Sequence, residues 1–343
     1  MYLLSKLPKK KSVQIKKILV IRLWTLGESI LTLPMIKKLN DTGYEIDVLV
    51  TSRSKPVFES VSFINQIIDV SNVLDILKKI QKYDISIDTE PYMNISSIMG
   101  KLLANKSIGY SGIFRDKLYN FKIKYNDKIH ASVNFCNLLQ SLNINYVPDS
   151  LIPLEYGKKE ENKIMELLDD LKINSKKIIG IHCGTAETAP WRTLKKEKFA
   201  EIITKLLDKN YVVLLTGTSG EYLQNEKIVN LVDNSKNLHN IAGKLNLKEF
   251  SCLITKFSCF ISPDTGPMHL AAAMGAKTIG LFGPNIPERF APYGHQNISL
   301  YGAKTLECSP CINVHTGKFK ECTQNGKCMD LISTEEILNE ICE

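Results

Sequence analysis

Residues suited to holding a phosphate group are concentrated between Cys259 and Gly294, in the stretch CFISPDTGPMHLAAAMGAKTIGLFGPNIPERFAPYG. The apolar CFIS reads as a short strand, broken by the turn Pro263-Asp264-Thr265-Gly266. GPMHLAAAMG then reads as a helix with Pro267 in its first turn, where the missing N–H leaves no helical bond unmade. The start of such a helix offers unpaired N–H groups and the positive end of the helix dipole, which favours phosphate. His269 falls one turn in, on the side facing the carboxyl end of the strand. Ala271, Ala272 and Ala273 leave the helix thin enough to pack close to a sheet. AKTIGLFGP supplies the next buried strand and ends on a Gly-Pro turn.

An acidic counterpart lies near the start of the chain. In ILVIRLWTLGESILTLPMIKKL, Glu28 follows Gly27 at the opening of a helix that succeeds an apolar strand. A carboxylate there can be a plain helix-start acid held by the dipole, or a general base that takes the proton of an attacking hydroxyl. A third turn, His182-Cys183-Gly184-Thr185, ends the strand KKIIGIHCG. Its small residues let backbone approach a diphosphate, and Thr185 can donate a hydroxyl. Arg192 adds a positive charge nearby, and Trp191 reads as packing against the helix that follows. Glu288 and Arg289 lie on the loop after the Gly-Pro turn, as donor contacts or as a solvated ion pair. Arg53, Arg115 and His130 are candidates for facing a second substrate.

These blocks resemble glycosyltransferase family 9, the ADP-heptose:lipopolysaccharide heptosyltransferases. The family pattern D-[ST]-G-x-x-H-x-A-A-x-x-G, followed by an apolar strand and Phe-Gly-Pro, is filled at every position from Asp264 to Pro284. The N-terminal pattern is met at Gly27, Thr32 and Pro34, with Glu28 where the family carries its catalytic Asp. The resemblance covers Lys16 to about Lys38 and most of Lys176 to Asp330, and thins between Glu45 and Asp149.

The resemblance implies a GT-B architecture, two Rossmann-like parallel-sheet domains facing each other across a cleft. It also implies inverting transfer of a heptose from ADP-heptose to a hydroxyl of the lipopolysaccharide core, with Glu28 as base. On the donor side it implies Gly27, His182, Gly184, Thr185, Arg192, Asp264, Thr265, Gly266, His269 and Glu288. The family often places a lysine two residues before the tryptophan; Ala189 stands there, and Arg192 is the available replacement. One base suffices for such a transfer, because the diphosphate leaves already charged. No two aspartates are spaced D-x-D, so cationic side chains and helix starts must stabilise the leaving group, and the expectation is a metal-independent reaction with no catalytic cofactor. Three other readings stay open: a protein acceptor, another nucleotide sugar, or a silent nucleotide-sugar-binding protein. A dinucleotide-dependent dehydrogenase is the weaker reading, since no G-x-G-x-x-G follows the first strand.

Strands alternating with helices must position these residues. KKILVIRL, EIDVLV, QIIDV and DISIDTE read as strands of a parallel sheet with helices between them; the helix from Gly27 to Asn40 is expected to be interrupted at Pro34. The tract 107–126 reads as irregular, and a helix runs from about His130 to Leu142. The pattern restarts after Pro148–Lys159. The expected division is an acceptor-side domain over 1–150, a linker and charged helix over 151–175, and a nucleotide-sugar-binding domain over 176–343.

Bulk properties restrict the partners. The chain has 343 residues and a formal net charge of +8, from 44 basic and 36 acidic residues. Lys9-Lys10-Lys11 and Lys16-Lys17 form a basic cluster, either a solvated leader or an attraction to anionic lipid or a phosphorylated acceptor. Basic residues are otherwise scattered without interleaved aromatics, which argues against nucleic acid. No apolar run is long enough to span a bilayer, the charge order at the N-terminus is the reverse of a signal peptide, and nine cysteines then argue for the cytoplasm. Four of them, Cys308, Cys311, Cys322 and Cys328, have a spacing open to a structural zinc or iron ion or to four reduced thiols.

Overall fold

A computed structural model describes residues 15–112, 114–173, 177–185, 189–233, 235–313 and 317–342; Lys9-Lys10-Lys11 lie outside them. In the first half, β1 (Lys17–Arg22), α1 (Leu26–Asp41), β2 (Glu45–Val50), α2 (Lys55–Phe58), β3 (Gln66–Asp69), α3 (Val73–Lys78), β4 (Tyr83–Asp88), α4 (Asn94–Leu103), β5 (Ala104–Ser111) and β6 (Phe121–Lys124) alternate. The strands form one sheet of order β3-β2-β1-β4-β5-β6, every neighbouring pair parallel. The order reverses beside β1, which leaves a crevice at its carboxyl end. α5 (Ala131–Asn137), a 3₁₀ turn and α6 (Lys158–Asp170) lead into the second half.

There β7 (Ile178–His182), α7 (Lys196–Asp208), β8 (Val212–Thr216), α8 (Tyr222–Val229), β9 (Leu238–Asn240), α9 (Leu247–Ile254), β10 (Phe257–Pro263), α10 (Gly266–Ala273), β11 (Thr278–Phe282), α11 (Pro287–Phe290) and β12 (Ile298–Tyr301) repeat the plan. Their sheet runs β12-β11-β10-β7-β8-β9, again all parallel. A short ribbon, β13 (Ile312–Asn313) with β14 (Lys318–Phe319), and helices α12 (Lys327–Asp330) and α13 (Thr334–Cys342) complete the described residues. This is the GT-B architecture, and the central strands of both sheets are Val/Ile/Leu-rich because helices cover both their faces.

Two expectations need correction. α1 runs unbroken through Pro34, which is buried together with its neighbours from Gly27 to Ile36. The helix lies against α5 and α10, so tertiary burial outweighs the one backbone hydrogen bond that proline removes. The tract 107–126 holds most of β5 and all of β6. β6 has an edge-strand pattern with little burial, which hides it from apolar periodicity.

One apolar core is continuous between the halves. It joins Ile30, Leu33 and Phe135 of the first to Leu253, Met268 and Leu270 of the second. Polar contacts pin the same seam: Tyr293 Oη donates to the Pro148 carbonyl at 2.6 Å, and Arg289 forms an ion pair with Asp127.

Candidate active site

The two strand–turn–helix units meet head to head. A Cβ built on Gly27, at the start of α1, would stand 3.2 Å from Gly266 Cα at the start of α10 and 2.7 Å from His269 Cδ2. Only glycine permits this approach. The positive ends of two helix dipoles therefore converge on one spot. Beside it lies a cavity of about 250 Å³, lined on one side by Thr25, Gly27 and Glu28 and on the other by Arg192, Asp264, Thr265, His269 and Asn285.

On the first side, Glu28 is 7% exposed. Its Oε2 accepts from Arg22 Nη2 at 2.6 Å and from Thr25 Oγ1 at 3.2 Å, while its backbone N–H donates to Thr25 Oγ1. Thr25 takes φ 58°, a conformation rare for a β-branched residue and typical of strain held at functional turns. Arg22 is fully buried; its Nε also lies 3.5 Å from Glu90 Oε1. Glu90 in turn accepts from the Leu23 and Trp24 N–H groups at 2.7 and 2.9 Å. One guanidinium thus serves two buried carboxylates. Burial pushes the Glu28 carboxyl above its usual range, Arg22 pulls it down, and Glu90 pushes it up further.

The second side is quieter. Arg192 Nη2 donates to Asp264 Oδ2 at 3.0 Å and also to the Asp264 carbonyl oxygen. Asn285 Nδ2 donates to the same carboxylate oxygen at 2.9 Å. Asp264 therefore organises the wall. Thr265 turns its hydroxyl to the Pro263 carbonyl at 3.2 Å, so the start of α10 has no side-chain cap. Burial, and then the neighbouring Arg192 charge, lowers the His269 imidazole to about 3, so it is neutral at pH 7; its Nδ1 is buried without a hydrogen-bond partner among the described residues.

A second cavity of about 190 Å³ shares Leu26 and Pro267 with the first. Ile241, Leu247 and Phe250 give it apolar walls, and His182, Thr216, Thr218 and Asn246 provide polar edges. Burial lowers the His182 imidazole, with Glu221 opposing the shift. Gly184 lines a different cavity beside Glu221. Thr185 Oγ1 donates within its own loop, to the Ala189 carbonyl at 3.2 Å.

Several expected residues face elsewhere. Glu288 is exposed on α11, outside the lining of the cavities described above. Arg53 is exposed, with its guanidinium 5.8 Å from the Trp24 ring. Arg115 is 2% exposed, donates to the carbonyls of Glu90 and Met93 and lies 3.6 Å from Asp88 Oδ2; it braces the first half rather than facing an acceptor. His130 bridges the halves, its Nε2 bonded to the Ala291 carbonyl at 2.9 Å and its Nδ1 accepting from the Ser132 N–H. Lys17 is committed to ion pairs with Glu45 and Asp47, while Lys16 is exposed.

The cysteine tail does not assemble as its spacing suggests. Among the described residues no three His, Cys, Asp or Glu side chains come together to hold a metal ion. Cys328 is buried in the core of the second half, with its thiol pushed up to about 11 by burial and then by Cys311. Cys322 Sγ accepts the Gly326 N–H at 3.2 Å.

Arg22, Glu90, Asn285 and the second cavity are the parts that sequence reasoning missed. Arg22 had a readable signal, a lone charge inside the apolar run ILVIRL. Glu90 and Asn285 had none.

The fold and this cleft define a GT-B protein with an uncapped helix start opposite a buried carboxylate. Residues 75–320 match glycosyltransferase family 9 (heptosyltransferase), and the chain belongs to that family. It is 27% identical over 170 residues to lipooligosaccharide heptosyltransferase 2 of Campylobacter jejuni, a match covering 49% of this chain and 51% of that protein. The alignment thus spans about half the length of that curated relative. In fold it is similar to a family 9 glycosyltransferase from Veillonella parvula, with a TM-score of 0.78, 20% identity and 95% of each chain covered. It is also similar to Escherichia coli ADP-heptose lps heptosyltransferase II, with a TM-score of 0.74, 19% identity, and 95% of this chain and 97% of that one covered.

Proposed function

We propose that this protein is an inverting glycosyltransferase that moves a heptose from ADP-heptose to a hydroxyl of the lipopolysaccharide core, without a metal ion. One observation carries the reading: Glu28, two opposed helix starts and Arg192 line a single cavity. In this reading the donor diphosphate lies at the uncapped start of α10, where backbone N–H groups and Arg192 take up the charge that grows as the glycosidic bond breaks. Asp264 and Asn285 hold Arg192 and the turn in place. The adjoining apolar cavity takes the base, between Phe250, Leu247 and Ile241.

The acceptor hydroxyl attacks the anomeric carbon from the Glu28 side. Its proton passes to Glu28 as the new C–O bond forms, and the electron pair of the broken bond leaves with ADP. Burial and Glu90 raise the proton affinity of Glu28, while Arg22 opposes that rise and aims the carboxylate. Neutral His269 can donate a hydrogen bond without adding charge. The halves correspond to an acceptor-side domain over 1–150 and a donor-side domain over 176–343. Among the described residues no helix is long and apolar enough to cross a membrane; the reading places the reaction on the cytoplasmic side of the inner membrane.

Thermal shift with ADP-heptose, ADP, UDP, GDP and NAD, in magnesium and in chelator, tests the donor. The expected result is stabilisation by the adenine diphosphates, equal in both buffers. A preference for uridine or guanosine would overturn the donor, a response to NAD alone would overturn the transferase, and loss of the shift in chelator would overturn metal independence.

A further inference from the structure

Helix α4 is amphipathic in the inverted sense. Toward the protein it presents Ser96, Ser97 and Gly100, with Leu103 its one large buried side chain. Outward stand Ile95, Ile98 and Leu102, 48%, 51% and 40% exposed, at the i, i+3, i+7 spacing of a single stripe. α3 does the same: Val73, Leu74 and Leu77 are more than half exposed, and Ile76 alone is buried. Ile76, Leu103 and Met99 pack on one face of the first sheet, with Leu19, Ile21 and Leu49. Gln81 ties the far ends of the helices together, its Nε2 donating to the Leu102 carbonyl at 2.9 Å. Two adjacent helices thus turn apolar stripes to solvent, and a patch of this kind marks an interaction surface.

The fully exposed charges beside the patch are positive. Lys78, Lys82, Lys101 and Lys106 are exposed, whereas Asp75 and Asp84 are half-buried. The Asp84 carboxylate is already bonded to the Lys16 and Lys17 N–H groups. Apolar side chains rimmed by lysines complement anionic headgroups over an acyl boundary. A second copy fits less well, because a two-fold contact would set the lysine rim against itself. The start of α4 follows the segment in which Glu90 holds the Leu23–Trp24 turn beside Glu28, and Trp24 is 43% exposed.

We infer that the outer face of α3 and α4 docks on membranes bearing anionic lipid, which would bring the cleft to a lipid-anchored acceptor. The inference goes beyond the transferase reading.

The test is co-sedimentation of the full chain with phosphatidylcholine vesicles, plain or with about a third phosphatidylglycerol. The variant carries Leu74→Glu, Leu77→Glu and Ile98→Glu, and circular dichroism melts check its fold. A second variant, Lys78→Gln with Lys82→Gln and Lys101→Gln, removes charge without touching the apolar stripe. The expected result is binding to the anionic vesicles only, weakened roughly tenfold or more in each variant and by high salt. Wild type that stays in the supernatant, or variants that bind as it does, would overturn the inference. So would a wild-type dimer that the glutamate variant dissolves, which would assign the face to a second copy. Neither donor nor acceptor is present, so failure here leaves the transferase reading standing.

Discussion

The starts of α1 and α10 share a local plan and differ in how their polar groups are used. At α1 the start carries a side-chain cap: Thr25 accepts the Glu28 N–H, and Arg22 and Thr25 both hold the Glu28 carboxylate. At α10 the cap is absent, because the Thr265 hydroxyl is turned to Pro263. A capped start with a buried acid suits proton transfer. An uncapped start with a neutral histidine and a tethered arginine suits an anion. The cap residue is threonine at both starts, but its backbone differs, with φ 58° at Thr25 and an extended φ of −144° at Thr265, and the two conformations yield two kinds of start.

Arg22 is where the comparison breaks most sharply. Arg22→Met leaves Glu28 and Glu90 as neighbouring buried carboxylates, a loss of about 3–5 kcal/mol in unfolding free energy. In the surviving enzyme the acid limb of the pH–rate profile moves to higher pH, because Arg22 is the group that lowers the Glu28 carboxyl. An unmoved limb would take Glu28 out of the base role.

The contact between the two starts comes next. Gly27→Ala drives a methyl against His269 and Gly266, and a stability loss of about 1–3 kcal/mol is expected, with weaker ADP binding. Gly43→Ala, at a surface turn with φ 90° and no neighbour within 4 Å, is the control: it strains the backbone but leaves ADP affinity unchanged.

A pH-dependent effect, small at pH 7, comes from His130 and His269. His130 is held down to about 4 by burial and His269 to about 3, whereas an unfolded histidine titrates near 6.5. Between these values the unfolded chain binds more protons, so stability is full above pH 6.5 and falls as the solution is acidified toward pH 4. The loss is about 2 kcal/mol per histidine at pH 5. Chemical denaturation at pH 7 and pH 5 reads it, and His130→Asn should flatten part of the slope while costing about 1 kcal/mol at pH 7 for the bond to Ala291.

The second side of the cavity was legible in the sequence because its residues are contiguous: Asp264, Thr265, Gly266 and His269 lie within six residues, fixed by one turn and one helix. The base side was legible only at Glu28. Its supports come from β1 and from the residues after β4, 68 positions apart between Arg22 and Glu90, and they meet because those strands pair. Arg115 and His130 show the converse. Each has the right chemistry for an acceptor, but bracing within the first half and contact across the seam absorb them. The burial of Cys328 was hidden for a related reason, since spacing does not reveal the core it joins.

Donor affinity and single-turnover transfer, measured side by side in Glu28→Gln, test the division of labour most directly. The amide keeps the shape of Glu28 and removes the base. Affinity for ADP-heptose within about twofold of wild type, with transfer slowed roughly a hundredfold or more, is the predicted result. Affinity and transfer falling together, or transfer left intact, would contradict it.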